Sequence, residues 1–226
     1  MTRQVKSFGR ELRIIVPGTW ANVPVDDPGR AADFVKKLVK KQVGTADRLA
    51  RVRREATQEL LGTAREAAQI GVHTYLICLE LLPEVPFPAA LMMVDEDWSD
   101  GVGDLLARGD VDGALRAAYP QGEVATQRNG PVARVVEMSE GTIGEGEDAT
   151  EMQTMRLEYH MPYPDKSKLL FVRVSVPNIP SAEPFAMLFD EIVDSITFLS
   201  GDGVPEEEDE LTAAVAAPSA ASTHEG

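Results

Sequence analysis

The chain has one cysteine, three histidines and two tryptophans in 226 residues, and aromatic side chains make up only 6% of it. The lone Cys78 excludes an intrachain disulfide and a cysteine-based zinc site, and it leaves no lipid-attachable cysteine near the N-terminus. Within an apolar run it reads as a small buried hydrophobe. No apolar stretch approaches the ~18 to 20 residues of a membrane span, which excludes a helical membrane protein. A secretory leader is lacking too, since Met1 to Arg13 is polar and interrupted throughout, so a cytoplasmic location is expected. Positive charge is scarce: 22 Lys and Arg face 37 Asp and Glu, a net charge of −15. That balance repels phosphate backbones and argues against nucleic-acid binding by the molecule as a whole.

What is there is a globular mixture, 43% hydrophobic and 26% charged, of a length that suits one domain with extras. The last stretch, Asp202 to Gly226, carries Asp202, Glu206, Glu207, Glu208, Asp209, Glu210 and Glu225 with no Lys or Arg. Such a segment buries too little to offset its ordering entropy, so a disordered acidic tail is expected beyond a domain of residues 1–201. The tail holds −7 of the charge and leaves −8 on the rest.

Along the chain, Glu11 to Val16 alternates as a strand, and Pro17-Gly18 turns it into a second short strand, Trp20 to Val25. Asp26-Asp27-Pro28 is a helix-start signal. A helix is expected over Ala31 to Val43, with Phe34, Val35, Leu38 and Val39 as its apolar stripe. After Gly44-Thr45, a stop and a new cap, the helical pattern resumes to about Ile70, giving two helices or one kinked one, a basic insert at about 28–70. Val72 to Leu82 is apolar on both parities, as in a central strand covered on both faces. Ala89 to Val94 follows antiparallel to it across a short proline-rich link. Two short helices are expected at Val102 to Arg108 and, capped by Asp110, at Val111 to Tyr119. Asn129-Gly130 joins Glu123 to Gln127 and Val132 to Met138 in a hairpin. Gly141 to Asp148 reads as an acidic loop. Met152 to Met161 and Lys168 to Val176 form a last hairpin, and Ser181 caps a helix expected to run through Leu199.

Local hairpins with helices in separate blocks define an α+β fold, an antiparallel β-sheet covered by helices. The opening strand and turn, Val16-Pro17-Gly18-Thr19-Trp20, the long meander, and the closing helix after Pro180-Ser181-Ala182-Glu183-Pro184-Phe185 resemble the Mog1/PsbP-like fold over roughly residues 8–200. The Ala, Arg and Val bias resembles actinobacterial proteins. The resemblance implies a protein that binds other molecules, since that group includes a Ran-GTPase-binding factor, photosystem subunits and mycobacterial surface lipoproteins, although a shared fold does not transfer a function. The missing leader and lipid-bearing cysteine, and the basic helical insert, depart from the exported members.

Chemical motifs are few, and no catalytic residue, cofactor or metal is expected. Asp95-Glu96-Asp97-Trp98-Ser99-Asp100-Gly101 suggests a calcium loop, but counting from Asp95 puts Asp100 at position six and Leu106 at twelve, where Gly and Glu are required. A strand-to-helix loop with capping carboxylates is the better reading. The glycines of 141–146 lie among Glu145, Glu147 and Asp148, the wrong field for a phosphate cradle. His73 and His160 lack metal-ligand spacing. His160 shares a strand parity with Arg156 and Glu158, a set that reads as a solvated sheet face. Deep burial of His160 in a pocket beside a carboxylate would instead favour an acid–base site, and a flat exposed face a binding module.

The remaining asymmetry is cationic. Residues 30–65 carry ten Lys and Arg against four carboxylates, a local +6 in a −15 molecule. Lys36, Lys37, Lys40 and Lys41 group on one side of a helix, and Arg48, Arg51 and Arg54 extend the patch. Such a surface suits an acidic protein partner, or the chain's own tail when none is present. The expected function is a non-enzymatic cytoplasmic binding or adaptor module, serving a bacterial secretion or cell-envelope system as the resemblance implies. Two other classes stay open: a small hydrolase or isomerase acting around His160, Glu158 and Arg156, and an immunity-type protein that blocks a basic toxin with its acidic surface. The residues name neither the partner nor the oligomeric state.

Overall fold

The computed structural model describes residues 2–6, 12–82, 85–143, 150–177 and 182–199. In chain order, β1 (Thr2–Lys6), β2 (Leu12–Pro17) and β3 (Thr19–Val23) lead into the helices α1 (Pro28–Val43) and α2 (Ala50–Gln69), which are linked by a 3-10 turn over Asp47–Leu49. The strands β4 (Thr74–Leu82), β5 (Val85–Pro86) and β6 (Ala90–Glu96) precede the short helices α3 (Gly103–Ala107) and α4 (Val111–Ala118). The strands β7 (Glu123–Gln127), β8 (Gly130–Ile143), β9 (Thr150–Pro162) and β10 (Leu169–Pro177), helix α5 (Glu183–Asp194) and β11 (Thr197–Phe198) complete the order. The α+β class read from the hairpins holds. The main sheet runs β3-β4-β6-β10-β9-β8-β7, with β5 added on β4, and its pairs are antiparallel.

Three layers follow from strand parity. On β4, Leu76 and Cys78 face the main core, while Tyr75 and Ile77 face the helix pair. The main core fills the space between the sheet and a second layer built from α5 and the small sheet β1-β2-β11, with Leu12, Ile14, Val16, Phe189, Ile192 and Ile196 packed on Leu157, Tyr159, Val172 and Val174. On the opposite face Val35, Val39, Ala64 and Ala67 of α1 and α2 cover Val23 and Tyr75, and further along Val111 and Leu115 of α4 cover Ala133 and Leu169. The expectation for 72–82 is met over the first half of β4, which is buried on both faces.

Local signals account for most boundaries. Asp27 accepts from the backbone N–H of Gly29 and Arg30, with Pro28 opening α1. Gly44 ends α1 at φ 89°, its N–H bonded to the Lys40 carbonyl. The two helices are therefore separate, although Leu49, not Thr45, precedes α2 and no side chain caps it. Asp110 caps α4 through Gly113 N. Three expectations are corrected. The closing helix stops at Asp194 rather than Leu199, because Thr197 and Phe198 extend to pair with Arg13 and Leu12 of β2. Gly141 to Ile143 is strand, paired with Thr150 to Met152, so the expected loop does not begin at Gly141, and its remainder over 144–149 lies outside the described residues. Asp95 and Glu96 belong to β6, and α3 begins without a side-chain cap, so these carboxylates do no capping. The Ser181 cap and the tail over 202–226 lie outside the described residues. Among the described residues, no helix is long and apolar enough to cross a membrane.

Candidate functional site

Helices α1 and α2 lie side by side because each buries one stripe on β3, β4 and the other helix, leaving their outer faces to form a cleft. Lys36 and Lys40, one turn apart on α1, oppose Arg53, Arg54, Thr57 and Gln58 on α2 across a groove of about 330 Å³ floored by Val39. No carboxylate is among the lining residues. Arg53 is held in place by donating to the carbonyls of Gly44 and Ala46, both at 2.9 Å, in the turn that follows α1. Lys36, Lys40 and Arg54 are exposed. Four cations set around a shallow, largely open and partly apolar depression concentrate positive charge on one part of the helix pair.

Of the seven basic residues singled out in the sequence, the structure brings Lys36, Lys40 and Arg54 to this groove. Lys37, Lys41, Arg48 and Arg51 are exposed but do not line it, and Arg51 forms an ion pair with Glu55 on its own helix at 2.7 Å. Arg53, Thr57 and Gln58 were not singled out as binding residues. The signal was present in the i, i+4 rows Lys36–Lys40, Arg53–Thr57 and Arg54–Gln58, but which rows face each other depends on how the helices pack.

The second cluster surrounds His160, which is not on a solvated face: it is 4% exposed. Its ring stacks under Tyr119, the residue that ends α4, with centroids 3.6 Å apart, and leans on Phe171 of β10 at 4.9 Å. Nδ1 lies 2.9 Å from Glu96 Oε2. An ionised carboxylate only accepts, so Nδ1 carries the hydrogen. The Tyr119 hydroxyl donates to the same oxygen at 3.1 Å. The hydrogen bond from His160 holds the Glu96 carboxyl below its ordinary range, while burial, with Glu96 adding to it, pushes the Tyr119 hydroxyl up. The partner carboxylate is thus Glu96, not Glu158. Glu158 pairs with Arg173 at 2.8 Å and Arg156 with Glu137 at 3.5 Å, so the three residues grouped by parity do not form one site. No local pattern links Glu96 to His160, since it stands 64 positions away and sits inside the run that mimics a calcium loop. Among the described residues no group of three or more His, Cys, Asp or Glu is placed to hold a metal ion.

No protein-family model matches the chain, and no curated protein does. Among solved structures it is similar to LpqN, involved in cell envelope biogenesis of Mycobacterium tuberculosis, at 8% identity over 88% of this chain and 91% of that one, with a TM-score of 0.33. A superposition that loose carries no argument about either fold or function.

Proposed function

We propose that this chain is a non-enzymatic binding module whose α1/α2 groove takes an acidic segment of a protein partner. The observation that carries the reading is the convergence of Lys36, Lys40, Arg53 and Arg54 on one groove with no lining carboxylate, in a molecule of net charge −15. A cationic cleft on an anionic body steers an acidic ligand to one place, since the surrounding surface repels it. Membership of the Mog1/PsbP-like group, a cytoplasmic location and service to a secretion or cell-envelope system belong to the same proposal. They rest on the resemblance carried by the residue pattern around Pro17-Gly18-Thr19-Trp20 and on the polar, interrupted composition of Met1 to Arg13. The rival acid–base reading is supported by the burial of His160 beside Glu96. Against it, Tyr119 and Phe171 pack on the imidazole ring, and its Nδ1 hydrogen is already committed to Glu96.

The test is anisotropy of a fluorescein-labelled oligoglutamate peptide. Replacing Lys36, Lys40 and Arg54 together by Gln is expected to weaken binding about tenfold at low salt, at a few tenths to 1 kcal/mol per exposed ionic contact. Replacing Lys37 and Lys41 by Gln should change it less than about twofold. Equal losses from the two sets would mean a diffuse cationic face and no groove site.

A further inference from the structure

The main sheet has an edge that the fold leaves open. Strand β7 covers β8 only from Gly130 to Arg134, where its five residues end, whereas β8 continues to Ile143 with β9 on its other side. Among the described residues no strand pairs with the outer edge of β8 from Val135 to Ile143, a length of about 30 Å at the usual rise of a strand. Along such an edge every second residue presents its N–H and C=O outward without a ladder partner. The side chains above it are also uncovered. Val136 and Met138 lie opposite Leu157 and Met155, which are fully buried, yet they remain 42% and 44% exposed. They sit on the core side of the sheet, at a margin that no residue of the main core covers.

We propose that the open edge of β8 is a docking site for an extended, Lys- or Arg-bearing segment of a partner protein, which adds to the sheet as a further strand. Apolar residues of that segment at alternate positions would continue the layer over Val136 and Met138, and the backbone would complete the ladder. Charge decides the partner. Val135 to Ile143 carry Glu137 and Glu140 and no Lys or Arg. Two copies of β8 side by side would bring Glu137 and Glu140 of each close to those of the other, and like charges across a strand pair destabilise it. A basic strand gains from Glu140 and from Glu137, whose exposed pair with Arg156 at 3.5 Å leaves it open to a second cation. This surface is separate from the α1/α2 groove, which is on the helix pair at the other end of the strand order, so it takes a partner of opposite charge and does not depend on the groove's function.

The test uses the full chain and a synthetic ten-residue peptide of alternating valine and lysine, with backbone hydrogen exchange as the readout. Peptide binding is expected to slow exchange at alternate amides between 135 and 143 by about tenfold. The matched peptide of alternating valine and glutamate should not. Val136→Lys together with Met138→Lys, both at exposed positions, should abolish the slowing while melting within a few degrees of the parent, about what exposed substitutions cause. Unchanged exchange over 135–143 in the presence of bound lysine peptide would place binding elsewhere, on the acidic tail for example, and overturn the proposal. Absence of binding, equal protection by the glutamate peptide, or protection retained in the folded double variant would overturn it as well.

Discussion

His160 and Glu96 make a small polar centre between α4 and the sheet, and its behaviour with pH follows from the direction of one shift. The Glu96 carboxyl is held below its ordinary range in the folded protein by the hydrogen bond from His160. Its stabilising contribution is therefore complete above the unfolded value of about 4.3 and is lost as pH falls through the lower folded value. Glu96→Gln keeps an acceptor for Nδ1 but cannot titrate, so urea unfolding of that variant should show a shallower loss of stability below about pH 4 than the parent. At pH 7 it should differ by about 1 kcal/mol or less. His160→Ala opens a hole between two rings and strands neighbouring polar groups, and about 2 to 4 kcal/mol should be lost at neutral pH. Burial also pushes the Cys78 thiol up to about 12. Together with its 4% exposure, this predicts that the native protein does not react with an alkylating reagent at pH 8 and that the urea-unfolded chain does.

The connection between β2 and β3 is the element whose geometry is most tightly constrained. Gly18 sits at φ 80°, and a Cβ there would be 2.1 Å from the Glu80 carbonyl oxygen of β4. This lets β2 leave for the small sheet while β3 begins the main one. The turn is locked by Trp20, fully buried, whose Nε1 donates to the Pro17 carbonyl at 2.7 Å and whose ring meets Phe189 of α5 edge-on. Gly18→Ala must move backbone in β4, so it is expected to cost about 3 kcal/mol or more in thermal or chemical unfolding, well above the Gly-to-Ala effect at an open positive-φ site. Helix α5 is seated by Asp190, which accepts from the buried Tyr159 hydroxyl at 2.9 Å and from Arg134. Asp190→Ala leaves both donors without this acceptor and should cost about 2 kcal/mol. Loss of the Asp27 cap, by Asp27→Ala, should cost about 1 kcal/mol and no more, because it touches only the first turn of α1.

At the scale of the molecule, charge is divided. The α1/α2 groove is cationic, the stretch from Glu137 to Glu151 is anionic, and the last 25 residues hold −7 with no Lys or Arg. We propose that this anionic tail competes with an acidic partner for the groove at high effective concentration, through exposed pairs worth at most about 1 kcal/mol each. Deleting 202–226 should leave the melting temperature nearly unchanged and tighten oligoglutamate binding at low salt. The gain should fade near 0.15 M salt, where the Debye length is about 8 Å. Identical anisotropy titrations with and without the tail, at both salts, would remove the tail from the account.

The elements were legible in the sequence because periodicity and caps are local properties. The stripe of Phe34, Val35, Leu38 and Val39, the Asp27-Pro28 start, the Asn129-Gly130 hairpin and the alternation of Met155, Leu157 and Tyr159 each determine an element or a face within a few residues of themselves. Tertiary structure alone decided which polar groups meet. Strand order put β6 two places from β9, across β10, so Glu96 rather than Glu158 reached His160. Helix packing selected Lys36, Lys40, Arg53 and Arg54 from a run of ten cations. Coverage was decided in the same way: Val136 and Met138 have the parity of core residues, and they are exposed at a margin of the sheet where β7, which begins at Glu123 opposite Arg134, does not extend along β8. A side chain's parity is set by its own strand, but its burial is set by the length of its neighbours.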